Sequence, residues 1–172
     1  MYRLALFLRL NAYKSTGKFE NMDPIEHASI PTIAYLSFSN PDPINLIMLI
    51  LGSVFPDFDV FAKEHRSYLH SLLFLIPLAL LSLLLPWLKM FAVGVAFHLA
   101  LDAFSGVVPF LYPWKRKGYG LELIVRMKDF QISISARIVS GYPTPKIERT
   151  LKLNRSIPLG LLTLALIIKS FS

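Results

Sequence analysis

Apolar residues occupy five long runs along the chain, which short polar turns separate. The pattern predicts apolar helices at residues 24–39, 44–55, 68–88, 89–104 and 157–168. Asp23 followed by Pro24 marks the start of the first helix, since proline is favoured at the first helical position. About 20 apolar residues are needed to cross a bilayer, and residues 68–88 suit that length best. We therefore expect a mainly α fold, a small multi-spanning helical membrane bundle of about four to five apolar helices.

A different pattern begins at residue 115. Apolar and polar side chains alternate in residues 121–128 and again in residues 131–138, which is typical of strands. We expect a short β-hairpin that turns near Lys128 and Asp129 and forms a cytoplasmic insertion. The preceding residues 106–114 carry two prolines and three aromatic side chains and are expected to fold back at the membrane interface.

These patterns divide the chain into four parts. We expect an N-terminal extension at residues 1–21, a membrane-embedded helical core at 22–114, a basic strand-containing region at 115–155 and a C-terminal apolar helix at 156–172.

Composition supports a membrane protein. Of the 172 residues, 54% are hydrophobic and only 17% are charged, below the roughly 25% charged residues of soluble domains. The absence of cysteine excludes a disulfide framework and a thiolate metal site.

The distribution of the net charge of +7 favours one orientation. If five helices cross alternately, all of the 18 lysines and arginines except Lys89 and Lys169 fall on one side. The positive-inside rule assigns that side to the cytoplasm, so we expect a multi-pass protein of the cell membrane whose site faces the cytoplasm. Because the charges of residues 115–155 alternate along strands with few aromatics, membrane lipid is the expected partner and nucleic acid is not.

Ionisable side chains are concentrated between two apolar segments, in residues 52–71. Asp57, Asp59, His65 and His70 lie there, and an Asp at the centre of a membrane helix costs about 2.5–3.5 kcal/mol. Taken singly, each residue has an ordinary structural explanation, as a helix cap or a hydrogen-bonded histidine. As a set, they form the mixed histidine and carboxylate group that divalent metals prefer. In an extended chain Asp57 and Asp59 would point the same way.

A second pair lies further along, on the fourth predicted helix. His98 and Asp102 are four residues apart and therefore share a helix face. Both can bind one ion, or the carboxylate can orient the imidazole.

These motifs together resemble the YdjM-like family of membrane-bound metal-dependent hydrolases. The resemblance covers residues 22–114 and is carried by His27, Pro-Asp-Phe-Asp at 56–59, His-Arg-Ser-Tyr-Leu-His-Ser at 65–71 and the segment 98–113. Since the similar portion begins at Met22, we expect that Met22 can serve as a functional N-terminus. The resemblance implies the metal ligands His27, Asp57, Asp59, His65, His70, His98 and Asp102. A distant similarity to zinc-dependent phospholipase C and P1-type nucleases implies zinc and a phosphoester substrate.

The mechanism implied by the resemblance is hydrolysis by a metal-activated water. We expect the core ligand set to consist of His65, His70, His98 and Asp102. The remaining candidates, which would complete a second metal position or supply a base, are His27, Asp57 and Asp59. Arg66 is expected either to hold a phosphate through paired hydrogen bonds or to be a snorkelling interface arginine. Asp57, Asp59 and Arg66 are therefore the candidate catalytic residues.

Two other classes remain open at this point. A metal-binding membrane transporter would also place histidine and aspartate in its helices, although nearer to the middle of the bilayer. A non-catalytic membrane scaffold would leave the same residues scattered in space.

Overall fold

The computed structural model describes residues 22–61, 66–128, 131–142 and 153–172. Its α-helices are α1 (Pro24–Phe38), α2 (Pro43–Val54), α3 (Leu72–Leu84), α4 (Lys89–Ser105) and α5 (Leu153–Phe171). Three 3₁₀ segments lie at Phe55–Phe61, Tyr68–His70 and Pro86–Leu88, and two strands form β1 (Gly118–Lys128) and β2 (Gln131–Gly141). The expectation of a mainly helical fold with one hairpin is confirmed.

Proline and aspartate start the first two helices, as the sequence predicted for the first of them. Pro24 and Pro43 lie at the starts of α1 and α2, where a missing N–H leaves no bond unmade. The Glu26 carboxylate accepts a hydrogen bond from the Asp23 N–H at 3.1 Å. At α2, the Asp42 carboxylate accepts from the Asn45 N–H at 2.8 Å.

Helices α2 and α4 pack with their backbones in contact. A Cβ atom added at Gly52 would collide with the Phe91 carbonyl, and one added at Gly94 would collide with the Leu49 carbonyl. Small residues let membrane helices approach in this way. The contact brings the C-terminal end of α2 against the middle of α4.

The hairpin is anchored at its open end. β1 and β2 pair antiparallel from Gly118 with Gly141 to Lys128 with Gln131. Val108 and Tyr119 exchange two backbone hydrogen bonds of 3.0 Å, which join β1 to the segment after α4. A Cβ at Gly120 would meet the Gly106 carbonyl, so the base of the hairpin lies against that same segment.

The helix predicted at residues 68–88 is shorter in the structure. α3 covers only Leu72–Leu84, and Pro86 starts a separate 3₁₀ segment because the residue before a proline is driven out of the helical conformation. Among the described residues, one continuous helical segment, Pro86–Ser105, is long and apolar enough to cross a membrane. Leu72–Leu84 and Ser156–Phe171 are shorter apolar helices.

Candidate metal centre

Side chains from three parts of the fold meet in one buried cluster. α1 supplies His27, the turn before α3 supplies His70, and α4 supplies His98 and Asp102. The three histidines are 0–1% exposed and Asp102 is 3% exposed. Asp57, half-buried on the 3₁₀ helix after α2, lies beside this group.

A backbone carbonyl fixes the orientation of His98. Its Nδ1 lies 2.7 Å from the Ser53 carbonyl oxygen. Ser53 is among the last four residues of α2, whose carbonyls have no partner within the helix. A carbonyl can only accept, so Nδ1 carries the proton and Nε2 presents its lone pair to the cluster.

Asp59 fixes His70 in the same way. A single carboxylate oxygen, Oδ2, accepts from the Ser67 N–H at 2.9 Å, the Leu69 N–H at 3.2 Å and His70 Nδ1 at 3.0 Å. Burial alone would raise the pKa of Asp59, but the hydrogen bonds from His70 and Ser67 hold that pKa below its usual value. An ionised Asp59 places a proton on His70 Nδ1 and turns Nε2 towards the cluster. Burial lowers the pKa of His70, but its hydrogen bonds with Asp102 and Asp59 raise that pKa above its usual value.

Three possible metal-ligand atoms converge in the cluster. His70 Nε2 is 3.1 Å from His98 Nε2, and Asp102 Oδ2 is 3.2 Å from the first and 3.6 Å from the second. Either a proton on His70 Nε2 or a cation can lie between these facing atoms. A tetrahedral zinc ion with bonds of about 2.0–2.1 Å separates its ligand atoms by about 3.3 Å, so their spacing suits a metal ion.

His27 approaches the opposite oxygen of Asp102. Its Nε2 is 3.5 Å from Oδ1, and its ring stacks on His98 with 3.9 Å between ring centroids. Within the described residues, His27 Nδ1 has no hydrogen-bond partner. Two groups can thus bring ligand atoms within 4.8 Å of one another, one of His27, His98 and Asp102, the other of Asp57, His70 and His98.

Arg66 is held against the cluster in an unusual backbone conformation. Its φ of 59° lies in the left-handed region, which costs a residue with a side chain about 1–2 kcal/mol. Nη2 donates to Asp102 Oδ1 at 2.7 Å, and Nη1 donates to the Val107 carbonyl at 3.3 Å. A Cβ at Gly106 would collide with the guanidinium, so glycine there makes room for the arginine.

A family model described as YdjM inner membrane protein matches residues 22–171. The chain belongs to the YdjM family. The match extends past the residues that carried the resemblance and includes the hairpin and α5, which the sequence motifs left outside it. The chain matches no curated protein and no solved structure.

The charges of this YdjM-family site suit a divalent cation. Among the described residues, Asp59 and Asp102 are buried carboxylates, Asp57 is half-buried beside them, and Arg66 is a buried guanidinium. Buried carboxylates are unfavourable unless positive charge lies beside them, and a divalent ion would supply such charge.

The structure brings most of the predicted ligands together, but it gives Asp59 and Arg66 different surroundings from the others. The residues that belong to a group able to hold an ion are His27, Asp57, His70, His98 and Asp102. Asp59 instead accepts a hydrogen bond from His70, and Arg66 donates one to Asp102. His65 lies outside the described residues. Phe55–Phe61 is a 3₁₀ helix, so Asp57 and Asp59 do not point the same way as they would in an extended chain.

Sequence reasoning missed Ser53 and Gly106. Ser53 acts through its carbonyl, which every residue possesses, and no sequence signal points to it. Gly106 gave a weak signal, as a glycine shortly after the predicted metal-binding helix.

Proposed function

We propose that this YdjM-family protein is a multi-pass membrane hydrolase that uses a divalent metal, zinc, to cleave a phosphoester at the cytoplasmic face. The observation that carries the proposal is the convergence of His70 Nε2, His98 Nε2 and Asp102 Oδ2 within 3.1–3.6 Å. Their spacing and the fixed tautomers support a preorganised centre, since histidine ligands in metal sites donate their other N–H to a carboxylate or a carbonyl.

Each residue of the cluster then has a definite role. His70, His98 and Asp102 would hold the ion, and Asp59 and the Ser53 carbonyl would keep the two imidazoles turned towards it. A bound ion would lower the pKa of its water towards about 7 and would polarise the attacked oxygen. Asp57 is half-buried beside His70 and His98 and is the carboxylate placed to accept a proton. The Arg66 guanidinium donates to Asp102, so a phosphate-binding role would require it to reorient.

The surface of the helices supports a membrane setting with a lipid phosphoester as substrate. Leu83 and Leu84 on α3, and Leu161 and Ile168 on α5, are exposed, as expected of side chains that face acyl chains. Trp114, 77% exposed, precedes the exposed basic residues 115–117. Tryptophan and basic residues together are typical of the headgroup level of a bilayer, so we expect this segment to contact lipid phosphates.

The proposal is tested by metal content and phosphoester cleavage in detergent-purified protein. His70→Ala and His98→Ala should each lose the ion and the activity while keeping the fold, and the double variant should be little worse than either one. Ser82→Ala is the matched control, because Ser82 is a buried polar residue whose hydroxyl donates to the Ala79 carbonyl within α3. Full metal retention in both histidine variants would end the proposal.

One observation favours a second function. The three imidazoles are almost fully buried, which suits a protein that holds or moves an ion without exposing it to a substrate. A metal transporter would carry radioactive zinc into sealed vesicles and cleave no phosphoester, whereas the hydrolase would do the reverse. A non-catalytic scaffold would do neither.

A further inference from the structure

We infer that Arg66 restricts the centre to a single divalent ion by occupying the position at Asp102 where a second ion would bind. The inference rests on the metal centre of the proposed function. The inference concerns how many ions the centre binds. The sequence leaves that number open, because its seven candidate ligands are enough for either one or two ions.

The Asp102 carboxylate offers two separate binding directions. Oδ2 faces His70 and His98 at 3.2 and 3.6 Å, whereas Oδ1 faces His27 at 3.5 Å. Carboxylates with this arrangement commonly bridge two ions about 3.5–4 Å apart. Without Arg66, the structure would therefore offer a second position between His27 and Oδ1.

His98 cannot serve both positions. The Ser53 carbonyl takes its Nδ1–H at 2.7 Å, so only Nε2 is available, and a neutral imidazole nitrogen binds one ion. Among the described residues, a second ion would rely on His27 and Asp102 Oδ1, and Oδ1 is the atom to which Arg66 donates.

The guanidinium is fixed in place rather than lying loosely at the surface. It is 7% exposed, its two terminal nitrogens bond to Asp102 and to the Val107 carbonyl, and Gly106 leaves the space that it fills. Arginine stays charged at all relevant pH values. A divalent ion bound to Oδ1 would lie within about 5 Å of the guanidinium charge. The repulsion between the two charges would weaken binding of that ion by about 15-fold at the dielectric constant of water, and by more than about 10,000-fold at the effective dielectric constant of about 20 that suits buried groups.

The test counts ions and needs no substrate. The full-length protein in detergent is titrated with Zn²⁺ by calorimetry, the bound metal is measured by elemental analysis, and Mn²⁺-loaded samples are examined by electron paramagnetic resonance for coupled ion pairs. Wild type should bind one ion per chain and show no coupled Mn²⁺ signal. Arg66→Met, which removes the charge at similar length, should gain a second ion and the coupled signal. Arg66→Lys, which keeps the charge, should still bind one.

Each outcome decides the matter. Two ions in wild type would overturn the inference without any variant, and so would a folded Arg66→Met protein that binds only one. If Arg66→Met does not fold, the wild-type count and Mn²⁺ spectrum decide. One ion in wild type together with no phosphoester cleavage would leave the inference standing and remove the hydrolase. No bound ion in wild type would remove both.

Discussion

Replacing Asp59 with asparagine should weaken metal binding although Asp59 does not touch the ion in our proposal. The change keeps the size of the side chain and one acceptor oxygen, so the Ser67 and Leu69 N–H groups can keep their partner. The imidazole of His70 loses the negative charge that fixes its proton on Nδ1 and makes Nε2 a stronger ligand. Removing such a partner typically costs 10–100-fold in metal affinity, which corresponds to about 1.4–2.7 kcal/mol.

The effect on stability should be smaller than a loss of fold. Hydrogen bonds to charged groups contribute about 1.5–3 kcal/mol and those between neutral groups about 0.5–1.5 kcal/mol. Three bonds to Asp59 Oδ2 would weaken without being lost. We expect the metal-free variant to be about 1–3 kcal/mol less stable, a fall in Tm of roughly 2–12 °C for a chain of this size.

The assay is competition for Zn²⁺ against a chromophoric chelator, with a melting curve for each metal-free protein. Asp42→Asn is the matched control, because the Asp42 carboxylate also accepts a backbone N–H, at the other end of α2 from Ser53. Its metal affinity should equal that of wild type. The reasoning is refuted if Asp59→Asn binds Zn²⁺ as tightly as wild type, or if Asp42→Asn weakens binding equally.

Two further predictions concern packing and topology. Gly94→Ala should cost about 1–3 kcal/mol in stability, because its Cβ would collide with the backbone of α2; Gly141→Ala, whose Cβ would meet Val107 Cγ2 at an ordinary 3.8 Å, should leave the melting curve unchanged. Ser140 is exposed on β2, so Ser140→Cys in a chain without cysteine should react with an impermeant thiol reagent only after the cells are opened. Labelling of intact cells would reverse the orientation that we assign to the hairpin.

The sequence identified the residues of the candidate site better than their geometry. The spacing of His98 and Asp102 predicted that the two side chains share a helix face, because helical periodicity is local, and His98 Nε2 lies 3.6 Å from Asp102 Oδ2. The alternation of residues 121–138 was equally sufficient for the hairpin, whose strands pair as that pattern requires. These predictions depend only on residues close together in the chain.

The roles of individual residues depended on contacts that the sequence does not encode locally. His98 meets the carbonyl of Ser53 across 45 residues, and the meeting depends on two glycines that let α2 and α4 touch. Asp59 could not be told apart from a ligand because its role follows from the 3₁₀ conformation of Phe55–Phe61. The end of α3 was not predicted from the sequence. The apolar run continues past Leu84, so hydropathy alone does not show that Pro86 ends the helix.

The burial of the three imidazoles has a consequence for how quickly the ion can leave. A ligand atom must reach water before its ion can be exchanged, and His98 and Asp102 are carried by a helix whose backbone is in contact with α2. Release would therefore wait for a local opening of these helices, whose rate would set an upper limit on the rate of exchange. Residence time and affinity should then vary separately, and a chelator should strip the ion at a rate that does not rise with chelator concentration.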